Sequence, residues 1–187
     1  GVEPDLMILA KGLTSGYVPM GATMLSEQIY AGIADGAAEG VPIGHGATYS
    51  AHPVAAAVAL EVLRLYTEGG VLANAQRVAP LFGAGLDALQ QHPLVGDARH
   101  RGLLGALELV KDKAARRSFD PALGLPDRIF AAAYRNGVVF RCFGDGILGF
   151  APALTFGESE LEQLFARLRK TLNDVLAAPE VRAALVS

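Results

Sequence analysis

Residues 6–10, LMILA, are continuously apolar. A short run with no polar face predicts a strand buried on both sides, as in a parallel sheet between helical layers. Three glycines and a proline fall within residues 12–21, which predicts a loop. Ala22 to Leu25 then reads as a second short strand, and Ser26-Glu27 opens a helical stretch that ends in the glycine-rich residues 36–46. From Pro53 to Tyr66 the only charges are Glu61 and Arg64. A helix apolar nearly all round is expected to be buried on most sides. Pro53 suits its first turn and Gly69-Gly70 its end.

The pattern then becomes one-sided. Leu72, Val78, Leu81, Leu86 and Leu89 mark an amphipathic helix over about 71–91, in which Pro80 and Gly83 are expected to introduce a kink. Leu103 to Val110 reads as a strand, and the charged, turn-rich residues 111–125 as a surface excursion. Pro126 to Asn136 predicts a helix stopped by Gly137. Val138–Arg141 and Ile147–Phe150 predict two strands joined at Gly144-Asp145-Gly146. Thr155 and Glu158 have capping-box spacing. The helix that follows carries Leu161, Leu164, Phe165, Leu168, Leu172, Val175 and Leu176 on one stripe, the pattern of a helix lying on a sheet. A boundary between two structural units is expected near residues 66–92.

Composition narrows the function. Apolar residues make up 51% of the 187 and charged residues 19%, as in a globular protein. Sixteen Lys and Arg against nineteen Asp and Glu leave a charge of −3, which does not suggest a nucleic-acid binder or a polybasic membrane anchor. The single Cys142 excludes a disulfide framework and a cysteine-based zinc site, and points to a reducing compartment. No apolar run approaches the roughly 20 residues of a membrane span, and no signal-peptide pattern is visible. A cytoplasmic location is therefore expected.

Few residues stand out as candidate chemistry. Lys11 lies at the end of a predicted buried strand and the start of a glycine-rich loop. Ligands of open α/β sheets bind beyond the carboxyl ends of strands. A lysine partly desolvated there keeps more free amine, which can condense with an aldehyde or ketone. The plain alternative is a surface lysine that ends a strand. Thr48, in HGATYSAHP ahead of the apolar helix, suits an anion site at a helix N-terminus, or simply a cap. His45 and His52 flank it without acidic or cysteine partners, so no metal site is expected. Arg141 ends a strand before a tight turn. It suits a two-pronged grip on a carboxylate, or an edge salt bridge. Arg99, Arg101 and Glu108 are placed for a structural ion pair, and Cys142 reads as a small hydrophobe.

Four segments together resemble one family. Residues 4–22, PDLMILAKGLTSGYVPMGA, resemble the lysine segment of the class III aminotransferases, pyridoxal-phosphate enzymes of fold type I. Residues 44–60, GHGATYSAHPVAAAVAL, are similar to the family's next signature, in the same order. Residues 99–109, RHRGLLGALEL, resemble its entry into the C-terminal domain, and 137–154, GVVFRCFGDGILGFAPAL, its last β-hairpin. The likeness covers essentially the whole chain.

The resemblance implies an α/β fold that is the C-terminal part of a fold type I enzyme. Residues 1–66 would end the cofactor-binding large domain, 67–92 connect, and 93–187 form the small domain. It also implies that Lys11 holds pyridoxal 5'-phosphate and moves the substrate's α-proton. Thr48 would bind the cofactor phosphate of the neighbouring subunit, hence a homodimer with composite sites. Arg141 would grip the carboxylate of a keto acid or amino acid, as in pyruvate-dependent ω-transaminases. The implied reaction is ping-pong transamination between an amine or ω-amino acid and a keto acid such as pyruvate. Alternatives are another pyridoxal-phosphate reaction, such as decarboxylation or aminomutation, or a truncated non-catalytic protein. Many family members have two prolines where this chain has Pro152-Ala153, and glycine where His100 stands. The family's ring-nitrogen aspartate, phosphate cup and stacking aromatic precede the lysine and fall outside this chain. The chain, opening on Gly1, is thus expected to be a fragment and inactive alone.

Overall fold

The structure, a computed structural model, describes residues 1–40, 44 and 46–186. Its contacts divide into two compact units, Gly1–Gly70 and Val71–Ser187.

In the first unit, β1 (Leu6–Leu9) pairs antiparallel with β2 (Ala22–Leu25), in register from Leu6↔Leu25 to Leu9↔Ala22. The expected parallel, doubly buried strand is not found. With one partner strand and neither face covered, Leu6 is 56% and Ile8 83% exposed. Helix α1 (Glu27–Ala38) starts where Ser26 Oγ accepts the Ile29 N–H at 3.4 Å. Helix α2 (Pro53–Thr67) begins on Pro53, whose missing N–H would have had no helical acceptor, and gives way to Gly70 at φ +75°. It buries only one stripe, Ala55, Ala59 and Val62; Val54, Leu60, Leu63 and Leu65 are exposed. The helix is thus one-sided in this unit, contrary to its all-round apolar pattern.

The second unit is an antiparallel sheet of order β3-β4-β6-β5 packed on helices. Its elements are α3 (Val71–Leu89), β3 (Val95–Arg101), β4 (Leu104–Leu109), α4 (Leu125–Arg135), β5 (Arg141–Cys142), β6 (Ile147–Phe150), α5 (Glu158–Leu176) and α6 (Pro179–Ala184). Leu107 and Leu109 of β4, with Leu148 and Phe150 of β6, alternate onto the helical side. They meet Val78, Phe82 and Leu86 of α3, Ile129 of α4, and Leu161, Leu168 and Leu172 of α5. Each such side chain stabilises the unit by about 1.5–3 kcal/mol on burial. Asn74 Nδ2 donates to the carbonyls of Leu154 (2.8 Å) and Phe156 (2.9 Å), pinning the segment after β6 to α3.

Two local expectations shift. The cap of α5 lies two residues beyond the Thr155–Glu158 pair: Gly157 N–H donates to Glu160 at 2.9 Å, while Glu158 pairs with Arg77 at 2.6 Å. Helix α3 runs through Pro80 and Gly83 without a break. Gly83 serves packing instead, because a Cβ there would lie 2.4 Å from Cε1 of His100. His100 pairs with Gly105 on the helical side of the sheet, and its Nε2 is 3.4 Å from Asp87. The histidine therefore fills space that Gly83 leaves open. Gly83→Ala is expected to destabilise the native protein, yet to stabilise a His100→Gly background by up to about 1 kcal/mol through helix propensity. A double-mutant cycle in urea reads this; additive effects would show that the two positions do not touch.

His92 is buried between α3 and α5. Its Nδ1 accepts the Leu94 N–H at 3.2 Å, and its Nε2 faces Asn173 Oδ1 at 3.2 Å. This arrangement needs a neutral ring with its proton on Nε2. Burial holds its pKa below the ordinary 6.5, the Asn173 contact opposes that shift, and the charges of Arg169 and Lys113 add to it. The unfolded chain therefore binds a proton first as pH falls. Stability should be full above 6.5 and decline below it, until the folded ring also protonates. Urea midpoints at pH 7.5 and 5.5 should differ more for the native protein than for His92→Gln; equal differences would remove His92 as the cause.

Candidate active site

Lys11 follows β1 at the head of a 3-10 turn, Lys11–Leu13, and its backbone lies in the left-handed region at φ +49°. The expected desolvation is absent: Lys11 is exposed, because the strand that carries it is uncovered. The turn closes on itself through Leu13 N–H to Ala10 O (3.1 Å) and Thr14 N–H to Lys11 O (3.2 Å). Thr14 is buried and its Oγ1 donates to Val18 O at 2.7 Å. From α2, Tyr66 OH donates to Gly12 O at 2.8 Å and lies 3.3 Å from Ser15 Oγ.

Thr48 sits at the tip of a turn before α2. Ser50 N–H donates to Ala47 O (2.9 Å), and Ala47 N–H to Ser50 Oγ (3.2 Å). Both Thr48 and Ser50 are exposed. The first intrahelical bond of α2 runs from Ala56 N–H to His52 O, so the Val54 and Ala55 N–H groups lack helical acceptors. Ala47, Ser50, Val54 and Ala55 line one concavity with Pro19 and Gly21, about 590 Å³ in volume. His52 caps α2 with its ring 6.0 Å from Tyr49, and His45 lies outside the described residues. Among the described residues, no cluster of three His, Cys, Asp or Glu is placed to hold a metal.

In the second unit, Arg141 pairs with Gly149, which pairs with Ala106, which pairs with Arg99. Paired residues share a face, so this row lies on the side of the sheet away from the helices. The two arginines differ. Arg99 is engaged by Asp97 (2.7 Å) and Glu108 (3.1 Å), which hold its guanidinium charged, as expected of a structural pair. Arg141 is exposed and has no ion-pair partner among the described residues; its guanidinium carbon lies 5.5 Å from the Phe143 ring centre. The edge salt bridge that its position allowed is therefore not formed. Cys142 faces the core side, where burial pushes its thiol up, with the Asp127 charge adding to it; it is held as the unreactive thiol.

The first unit thus offers an accessible amine on a left-handed turn and, separately, a hydroxyl-bearing turn leading into a helix N-terminus; the second unit offers a guanidinium with no ion-pair partner among the described residues. Comparison with known proteins identifies the class: the chain belongs to the class-III aminotransferases, whose family profile matches residues 1–172. It is 41% identical to the putrescine–pyruvate aminotransferase of Pseudomonas aeruginosa over 180 residues, 95% of this chain and 38% of that protein. It is 38% identical to the diaminobutyrate–2-oxoglutarate transaminase of Halomonas elongata, again over 95% of this chain and 38% of that protein. Its fold superposes on the pyridoxamine-phosphate-bound aminotransferase of Vibrio fluvialis with a TM-score of 0.90 at 32% identity, covering 95% of this chain and 39% of that one. The chain therefore spans about two fifths of the length of the proteins it matches. The mixed α/β architecture is that of fold type I transaminases over this span, as expected from the sequence.

The donor set fits pyridoxal phosphate as far as these residues reach. A lysine amine with open space around it suits the aldehyde. The Ser50 hydroxyl, which shares a concavity with Val54 and Ala55 at the N-terminus of α2, suits the dianionic phosphate, and exposed Thr48 lies on the same turn. Tyr66 is the site neighbour that pattern reading passed over. It sits in the apolar helix with no motif of its own, and only its contact with Gly12, 54 residues away, reveals it.

Proposed function

We propose that this chain serves pyridoxal-phosphate-dependent transamination between an amine or ω-amino acid and a keto acid such as pyruvate. One observation carries the reading: in a class-III aminotransferase chain, the matching lysine, Lys11, stands exposed on a strained turn that neighbouring groups hold in place. The relatives named for putrescine with pyruvate and for diaminobutyrate with 2-oxoglutarate support the pairing of an amine donor with a keto acid.

Bound at Lys11, pyridoxal phosphate supplies an electron sink for the carbon that loses its proton. The chain's own residues do the rest. Lys11 Nζ would hold the cofactor and, as free amine, would carry the proton from the substrate carbon to the cofactor's aldehyde carbon, and in the opposite direction when the keto acid is converted. The Thr48 hydroxyl and the Val54 and Ala55 N–H groups hold phosphate, aided by the positive end of α2. Arg141 receives the carboxylate of the keto acid or amino acid through two parallel N–H bonds.

Thr48 is assigned to the cofactor of a second subunit, and the length of α2 supports this. The Lys11 turn is bonded to Tyr66 near the helix end, whereas Thr48 precedes its start. The thirteen steps from Pro53 to Tyr66 amount to about 20 Å at 1.5 Å each, longer than the cofactor itself. We read the assembly as a homodimer with composite sites, a reading that this separation supports. No described helix is long and apolar enough to cross a membrane.

Product analysis of the intact protein with putrescine, pyruvate and pyridoxal phosphate tests the reaction. Alanine should accumulate in step with loss of the amine. Carbon dioxide release or an isomerised amino acid, without alanine, would replace transamination by another reaction of the family.

A further inference from the structure

Three residues of the turn after β1 lie in the left-handed region: Lys11 at φ +49°, Ser15 at +48° and Gly16 at +78°. Glycine occupies that region freely, but the Cβ of lysine and serine makes it unfavourable there. Such a turn persists only where its surroundings fix it. Within it, Leu13, Thr14 and Tyr17 N–H groups reach the carbonyls of Ala10, Lys11 and Thr14 at 3.1–3.2 Å, but at the second left-handed residue the Ser15 N–H reaches Gly12 O only at 3.4 Å.

The outside restraint is the Tyr66 hydroxyl. It carries one hydrogen and donates it to Gly12 O at 2.8 Å, so the 3.3 Å contact with Ser15 is the serine hydroxyl donating to Tyr66. One hydroxyl thereby ties the residue after Lys11 to the second left-handed residue of the turn. Gly12 would tolerate a Cβ, which would meet Tyr66 OH only at 3.5 Å, so the clamp is a directed bond rather than forced crowding.

We propose that Tyr66 is a positioning residue: its hydroxyl holds the left-handed Lys11 turn and so fixes where the Lys11 amine is presented to an aldehyde. The inference rests on the reading of Lys11 as the pyridoxal phosphate lysine. Without the hydroxyl, the turn gains access to more extended conformations and the amine spreads over more positions. Tyr66→Phe keeps the ring and removes only the clamp. Ser15→Ala removes the weaker arm alone.

The test uses the intact protein, with pyridoxal 5'-phosphate as probe. Adducts are fixed with borohydride and mapped by peptide mass, with Lys111, Lys113 and Lys170 as internal controls. Amide hydrogen exchange is followed over residues 11–15 and over α2. Tyr66→Phe should raise half-saturation at Lys11 by roughly 3- to 10-fold, as expected for one hydrogen bond. Labelling of the other three lysines should not change, and exchange should quicken at residues 11–15 but not along α2. Ser15→Ala should have a smaller effect of the same sign. Equal Lys11 labelling in native and Tyr66→Phe protein, or equal exchange at 11–15, overturns the positioning role. If Tyr66→Phe quickens exchange along the whole of α2, Ser15→Ala decides by its Lys11 labelling. No preference for Lys11 in the native protein would instead overturn the cofactor reading, and exchange at 11–15 would still decide the clamp.

Discussion

In the intact protein, Lys11→Ala is expected to abolish transamination, with a loss of at least about 10²–10⁴ in rate, the range a positioned proton-transfer group contributes. Under the proposed role two functions would vanish together, the covalent hold on the cofactor and the base at the substrate carbon. The borohydride-stable adduct at position 11 should vanish as well. Alanine is the informative replacement because it keeps a Cβ. The left-handed backbone at φ +49° then carries the same steric burden, whereas glycine would relieve it and alter the turn. Exchange at residues 12–15 should therefore match the native protein, which separates loss of the amine from loss of the turn. Measurable turnover in Lys11→Ala, within tenfold of native, would mean that another group moves the proton.

The second large effect concerns stability. Phe82→Ala is expected to cost about 3–5 kcal/mol in the second unit, read as a fall in the urea midpoint. Phe82 is fully buried, and its ring lies 5.9 Å from that of Phe165, centre to centre. Two glycines shape the same region. A Cβ on Gly105 would lie 2.3 Å from Leu86 Cδ1 and 2.9 Å from Phe82, and one on Gly85 would lie 2.1 Å from Phe165. Helix α3 therefore sits close on β4 and α5 because no side chain intervenes. The small residues are already at their limit and leave nothing to fill the hole that Phe82→Ala creates. A loss under about 1 kcal/mol would show that the layer collapses onto the gap.

Much of the second unit is legible in the sequence because its elements have one apolar face each. Leu161, Leu168, Leu172 and Val175 mark α5, and Leu148 and Phe150 mark β6. What pattern reading misses lacks such a face. β3 runs Val95–Arg101 through Asp97, Arg99, His100 and Arg101, so its alternation is hidden; pairing with β4 and the Asp97–Arg99–Glu108 ion pairs hold it instead. Short α6 is missed for the same reason, since Val181 alone is buried. The opposite failure occurs in the first unit. Apolar composition predicts burial for β1 and for all sides of α2, but burial also needs a covering surface, and within this unit only a stripe of α2 has one.

Lys11, Thr48 and Arg141 are visible in sequence mainly through motif likeness, since each has an ordinary structural alternative. The structure bears differently on each of them. It gives Arg99 its acidic partners and shows none for Arg141 among the described residues. It places Lys11 exposed within the first unit, on a left-handed backbone, rather than at the end of a covered strand.

Helix α2 acts as a ruler. One end leads out of the Thr48 turn, and near the other Tyr66 grips the turn that bears Lys11. Under the composite-site arrangement, these ends serve different cofactors, so the helix sets the spacing between two reaction centres. A single residue inserted in its middle would advance Tyr66 by about 1.5 Å and rotate it by about 100°. Both centres would lose register at once, although no residue touching either had been replaced.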